Sequence, residues 1–94
     1  MKGAAMVLID QPIWPAHNTL WAHLVSDESL NELHEFAAAA GIPRRGFDRD
    51  HYDVPAEKYD ELVALGATPV TVRQLVERLR DSGLRVTQRE KRGL

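Results

Sequence analysis

The chain contains no cysteine. That excludes disulfides, a thiol nucleophile and any zinc site built from thiolates, and it fits a reducing cytosol. Long hydrophobic runs are also missing. The apolar run near the start, Met6 to Ile9, matches a buried strand and is far too short to span a bilayer, so neither a targeting segment nor a membrane partner is expected. There is no Gly-rich phosphate loop, no H-E-x-x-H and no G-x-S-x-G. Ser26, Ser29 and Ser82 are placed as helix-end serines, which argues against a serine nucleophile.

What is present is ordinary in bulk. Ninety-four residues, 44% hydrophobic and 28% charged, make one domain with a modest core; a cytoplasmic location is expected and homodimerisation is plausible. The net charge of −2 is unevenly spread. Residues 1–43 carry one lysine against five acids, and residues 44–70 carry four basic against six acidic groups. Residues 71–94 carry seven basic against three acidic groups, so only this last third attracts phosphate or an acidic surface.

Strand and helix signals alternate. Val7-Leu8-Ile9 reads as a buried strand ending in Asp10. Gln11 to Thr19, with prolines on either side of Trp14, reads as a loop. Leu20 to Val25 alternates poorly and reads as either a strand or an ordered loop. Ser29-Leu30-Asn31-Glu32 has the form of a capping box, with Ser26 or Asp27 as earlier candidate caps, and Gly41 is placed to end that helix. Pro55 suits the first turn of a second helix ending at Gly66. A short extended piece, Ala67 to Val70, follows it. Thr71-Val72-Arg73-Gln74 is another capping box, and Val72, Leu75, Val76 and Leu79 form an apolar stripe that stops at Gly83. Leu84 to Thr87 is a candidate last strand. The expected architecture is a small single-domain α/β fold over residues 1–87, with a sheet and about three helices, followed by a flexible basic tail at 88–94.

Several of these segments together resemble a bacterial and phage family, domain of unknown function 4031. The shared pieces are Val7 to Asp10, Trp21 to Asp27, Glu32 to Ala37, Gly41 to Arg45, His51-Tyr52-Asp53 and Leu65-Gly66-Ala67. They occur in the same order and span most of the chain. The resemblance implies a small stand-alone protein and carries no catalytic residues with it.

The densest chemistry lies at Phe47 to Pro55, where three aspartates, an arginine, a histidine and a tyrosine fall within nine residues. Asp48, Arg49 and Asp50 read as a solvated loop. His51 and Asp53 are two apart, which in extended backbone puts both on one face. A carboxylate beside an imidazole can fix its tautomer for general-base catalysis, or the two can share a divalent metal. The alternative for Asp53 is capping of the following helix.

Other candidates surround that pair. Asp10, at a strand end, suits a divalent metal or a loop role. His23 and Asp27 are four apart, which on a strand is about 13 Å; both are candidate ligands, although Asp27 also suits a cap and His23 a satisfied core position. His34 lies on the apolar face of the first helix, and His17 has no evident role. Arg44 or Arg45 can clamp an anion or pair with Asp48 or Asp50. Trp14 and Trp21 can stack on a base or sugar, with Tyr52 near the site, or belong to the core.

Two functions follow from these groups. One is a small metal-assisted hydrolase of phosphoesters or nucleotides. Asp10, Asp53 and Asp27 would hold the ion with His23, His51 would be base or ligand, and an arginine would steady the phosphate. The other is a non-catalytic adaptor binding nucleic acid or protein through Arg73, Arg78, Arg80, Arg85, Arg89, Lys91 and Arg92.

Overall fold

The computed structural model describes residues 6–85. The expected tail at 88–94, and the part of the expected last strand beyond Arg85, lie outside those residues. So do Arg89, Lys91 and Arg92 of the proposed basic surface.

The first strand, β1 (Val7–Ile9), is buried throughout and pairs antiparallel with β3 (Thr19–Ser26). Between them β2 (Trp14–Ala16) forms a hairpin with the start of β3. The two residues of its turn, His17 and Asn18, both have positive φ, the geometry in which a two-residue turn matches strand twist. The segment expected to be a loop, Gln11 to Thr19, therefore holds a strand at Trp14–Ala16, and Gln11 to Ile13 and the His17-Asn18 turn stay outside it. Its Pro15 lacks a backbone N–H and is tolerated because β2 is exposed and short.

Helix α1 (Leu30–Ala39) starts at Ser29, whose hydroxyl accepts from the Glu32 N–H at 3.1 Å. The reciprocal half of the expected capping box is routed differently. Glu32 accepts from the Ser26 hydroxyl, and Ser26 Oγ in turn accepts from the Ser29 N–H at 3.1 Å. Gly41 follows the helix at φ 77°, the left-handed position foreseen for it. A 3₁₀ turn at Arg44–Gly46 then leads into the tight hairpin of β4 (Phe47–Asp48) and β5 (His51–Pro55).

Pro55 ends β5 instead of opening a helix. A 3₁₀ turn, Ala56–Lys58, intervenes before α2 (Tyr59–Ala64). The extended piece β6 (Thr68–Pro69) pairs parallel with β1. Helix α3 (Val72–Ser82) carries the complete reciprocal capping box of Thr71 and Gln74 and ends at Gly83 in the left-handed conformation. Leu84 and Arg85 form no strand.

Among the described residues, the result is a small α/β domain with one mixed sheet of six strands and three α-helices. The strands run β4-β5-β3-β1-β6, with β2 also on β3. One face of the sheet, with Ile9, Ala22, Leu24, Tyr52 and Val54, packs against Leu33 and Ala37 of α1 and Leu62 of α2. On the other face, Leu8 and Val25 pack against Leu75 and Leu79 of α3. Each leucine-sized side chain so buried stabilises the fold by about 1.5–3 kcal/mol. Burial on both faces explains the poor alternation of β3: Leu24 faces one helix layer and Val25 the other. The α3-facing side continues across β3 and β5 with polar groups in place of leucine and valine, and those groups make the candidate site. Among the described residues, no helix is long and apolar enough to cross a membrane.

A candidate metal centre of two histidines and an aspartate

Strand register builds the site. His23 of β3 lies directly opposite Asp53 of β5. His51, two residues before Asp53, shares its face. The Asp10 N–H continues the β1–β3 ladder by donating to the His23 carbonyl at 3.1 Å, which places Asp10 beside His23 on the other side. Three neighbouring segments therefore present Asp10, His23, Asp53 and His51 side by side.

Two Asp–His pairs converge on one carboxylate. Asp10 Oδ2 lies 2.9 Å from His23 Nδ1, and Asp50 Oδ1 lies 2.7 Å from His51 Nδ1. An ionised carboxylate only accepts hydrogen bonds, so in each pair Nδ1–H donates and Nε2 is the nitrogen left to face the site. Both Nε2 atoms turn toward Asp53 Oδ1, at 3.8 Å from His23 and 3.2 Å from His51. The two imidazoles meet edge to face, with centroids 4.9 Å apart.

The carboxylates behind the rings are hidden and the one in front is open. Asp10 is fully buried and Asp50 is 1% exposed, whereas the Asp53 side chain is 46% exposed. Asp10 also accepts from the His23 backbone N–H at 2.6 Å and from Trp14 Nε1 at 3.3 Å. Both of its oxygens are thus engaged, and it supports His23 from behind. Burial by itself would lower the pKa of His51, but hydrogen bonds to Asp50 and Asp53 and their charges outweigh it and raise the pKa to about 9. The same hydrogen bond from His51 holds Asp53 below the usual carboxylate range against its partial burial, with charge from His51, His23 and Arg49 adding to the effect.

One ligand atom from each of His23, His51 and Asp53 lies within 4.8 Å of the others. A tetrahedral ion with ligand bonds of about 2.0–2.1 Å separates its ligand atoms by about 3.3 Å. The 3.2 and 3.8 Å separations from Asp53 bracket that value, and the third, between the two histidines, lies within 4.8 Å, so the side chains would close further around an ion. Two imidazoles and one carboxylate suit zinc, iron(II) or manganese(II) better than magnesium or calcium, which favour oxygen-only ligands. The carboxylate behind each histidine is the usual second layer of such a site.

Beside the triad opens a cleft of about 630 Å³, lined among others by Trp14, Trp21, Arg45, Asp48, Asp53 and Lys58. Of the arginine pair, Arg45 lines this cleft, while Arg44 lies over the Phe47 ring at 5.9 Å. The Trp14 ring lies 5.2 Å from His23, so the aromatic wall is continuous with the triad.

The sequence candidates separate accordingly. His23, His51 and Asp53 come together, with Asp10 behind His23 and with Trp14 and Arg45 on the cleft. Asp27 does not join them. It accepts from the Met6 N–H at 2.9 Å and from Arg78 at 2.6 Å, contacts that hold its carboxyl below the usual range despite partial burial. Because β1 and β3 are antiparallel, Asp10 and Asp27 follow the carboxyl ends of strands that point opposite ways. Tyr52 is a core residue, 1% exposed, with its hydroxyl 2.7 Å from His34 Nδ1. Burial lowers the His34 pKa, and the nearby Arg44 charge lowers it further. Asp50, read as part of a solvated loop, is buried and holds His51. The available signal was the alternation on both sides of the Asp48–His51 turn, which makes the run a tight hairpin.

No curated protein and no solved structure matches this chain. The family profile described as protein of unknown function (DUF4031) matches residues 7–82, and the chain belongs to that family.

Proposed function

We propose that this protein is a metal-dependent hydrolase of phosphoesters that works through one divalent transition ion held by His23, His51 and Asp53. The observation that carries the reading is the convergence of both Nε2 atoms on the Asp53 carboxylate, each ring held from behind by a buried aspartate. A zinc ion held by these three ligands would keep positions open, would bring the pKa of a coordinated water to about 7 and would draw charge from a phosphoryl oxygen. Arg45 adds positive charge along the cleft, as does Lys58, which pairs with Glu61 at 3.6 Å. Arg45 makes no ion pair with any described residue, and its planar guanidinium fork suits a phosphate. Asp48 and Asp53 carry opposing negative charge in the same cleft, and a bound ion would make the site more attractive to an anion.

The adaptor reading rests on α3 and the tail. In α3, Arg78 is already paired with Asp27, and no observation favours this surface over the cleft.

The test combines calorimetry with a phosphoester panel. The proposal predicts one Zn²⁺ or Mn²⁺ per chain, little response to Mg²⁺, and hydrolysis of aryl phosphomono- or diesters that His51→Ala abolishes. Absence of ion binding sinks the metal centre. Ion binding without hydrolysis of any ester in the panel sinks the hydrolase and leaves the centre standing.

A further inference from the structure

The cleft has an aromatic side as well as a charged one. Trp14 and Trp21 are opposite one another on β2 and β3. Each indole is fixed through its N–H. Trp14 Nε1 donates to Asp10 at 3.3 Å, and Trp21 Nε1 donates to the Ala16 carbonyl at 2.9 Å. These bonds engage the ring edges, and the Trp14 ring also lies 5.2 Å from the His23 ring. Trp14 is 40% exposed, unusual for so large an apolar group, and both indoles line the cleft. A ligand with an anionic group and a planar ring matches this arrangement. The anion would sit near Arg45, Lys58 and the triad, and the ring would lie on the tryptophan wall. The cleft volume lies within the roughly 300–1,000 Å³ of small-molecule sites.

Resting on the phosphoester reading above, we infer that the substrate is a nucleoside phosphate whose base stacks on Trp14 and Trp21 while its phosphate faces His23, His51 and Asp53. Stacking is available to every base because each has a π-face, so the wall selects for a base without selecting strongly among bases. A sugar phosphate or a simple alkyl phosphate reaches the charged side and leaves the wall unused.

These two tryptophans are the only ones in the chain, so tryptophan emission, excited beyond the tyrosine absorption band, reports on the cleft wall. The experiment titrates zinc-loaded full-length protein with adenosine 5′-monophosphate and, separately, with ribose 5-phosphate, by fluorescence quenching and calorimetry. Adenosine monophosphate is expected to bind about 5- to 150-fold more tightly, the range that one base stack supplies, and to quench emission. Trp21→Leu is expected to lose that preference, and Trp21→Phe, which keeps an aromatic face, to retain part of it. Equal affinity of the two ligands for the wild-type protein overturns the stacking inference and leaves the phosphoester reading intact. Binding of neither ligand to the zinc-loaded protein overturns both. The wild-type comparison stands even where a tryptophan variant fails to fold.

Discussion

Asp10→Asn replaces one carboxylate oxygen with an NH₂ group and keeps the shape, yet it would reach the proposed metal centre through the His23 tautomer. The Asp10 carboxylate receives three N–H donors: the His23 backbone at 2.6 Å, His23 Nδ1 at 2.9 Å and Trp14 Nε1 at 3.3 Å. An amide offers one accepting oxygen and one donating NH₂. With its oxygen kept on the His23 backbone N–H, the amide NH₂ faces His23 Nδ1. The ring answers by accepting at Nδ1 and carrying its proton on Nε2, the atom that faces Asp53. A protonated Nε2 cannot ligate. Loss of such a supporting carboxylate typically lowers metal affinity about 10- to 100-fold, or about 1.4–2.8 kcal/mol. Asp10 is fully buried, so folding also loses charge-assisted hydrogen bonds of about 1.5–3 kcal/mol. Zinc affinity is measured by chelator competition, fold stability by urea denaturation of the metal-free protein, and the tautomer by ¹⁵N shifts of the His23 ring. A folded variant that binds zinc within threefold of the wild type refutes the reasoning.

Other perturbations test the remaining groups. In the metal-free protein the folded state holds the His51 proton to about pH 9, against an ordinary value of 6.5. Its contribution to stability, on the order of 3 kcal/mol, is therefore complete below pH 6.5 and is lost as pH rises through about 9, which denaturation at pH 6, 7.5 and 9.5 would show. Asp53 has a lowered pKa, so its contribution is present above the ordinary carboxylate range and fades as pH falls below it. Because an ion must displace the His51 proton, zinc affinity is expected to rise over the same alkaline window and zinc binding to release protons into the buffer. Asp27→Ala removes the partner of Arg78 and should cost about 0.2–1 kcal/mol in thermal stability, with zinc affinity unchanged; a large loss of affinity would return Asp27 to the site. Tyr52→Phe removes the hydroxyl that meets His34, with an expected cost of about 0.5–1.5 kcal/mol and no change in KM for a phosphoester substrate.

Local signals were legible because their causes are local. Ser29, Thr71, Gly41 and Gly83 mark helix ends, since the free backbone groups there need a polar side chain or a left-handed residue within a few positions. The shared face of His51 and Asp53 follows from the two-residue period of a strand. What could not be read depended on pairing between distant strands. Asp10 reaches His23 only because β1 and β3 are antiparallel in this register, and the same register sends Asp27 to the opposite end. Asp50 looked solvated because Asp48-Arg49-Asp50 is a run of charge. The hairpin turns so tightly at Arg49, with φ 63°, that the next carboxylate is buried against His51. Pro15 disguised β2 as a loop, since proline is compatible with an edge strand but not diagnostic of one.

Anomalous X-ray diffraction from crystals grown with zinc tests the metal centre most directly. The account predicts a single strong peak within about 2.3 Å of His23 Nε2, His51 Nε2 and an Asp53 oxygen, with Asp10 and Asp50 still bonded to the two Nδ1 atoms. A peak elsewhere on the chain, or none at this triad at saturating zinc, would contradict it.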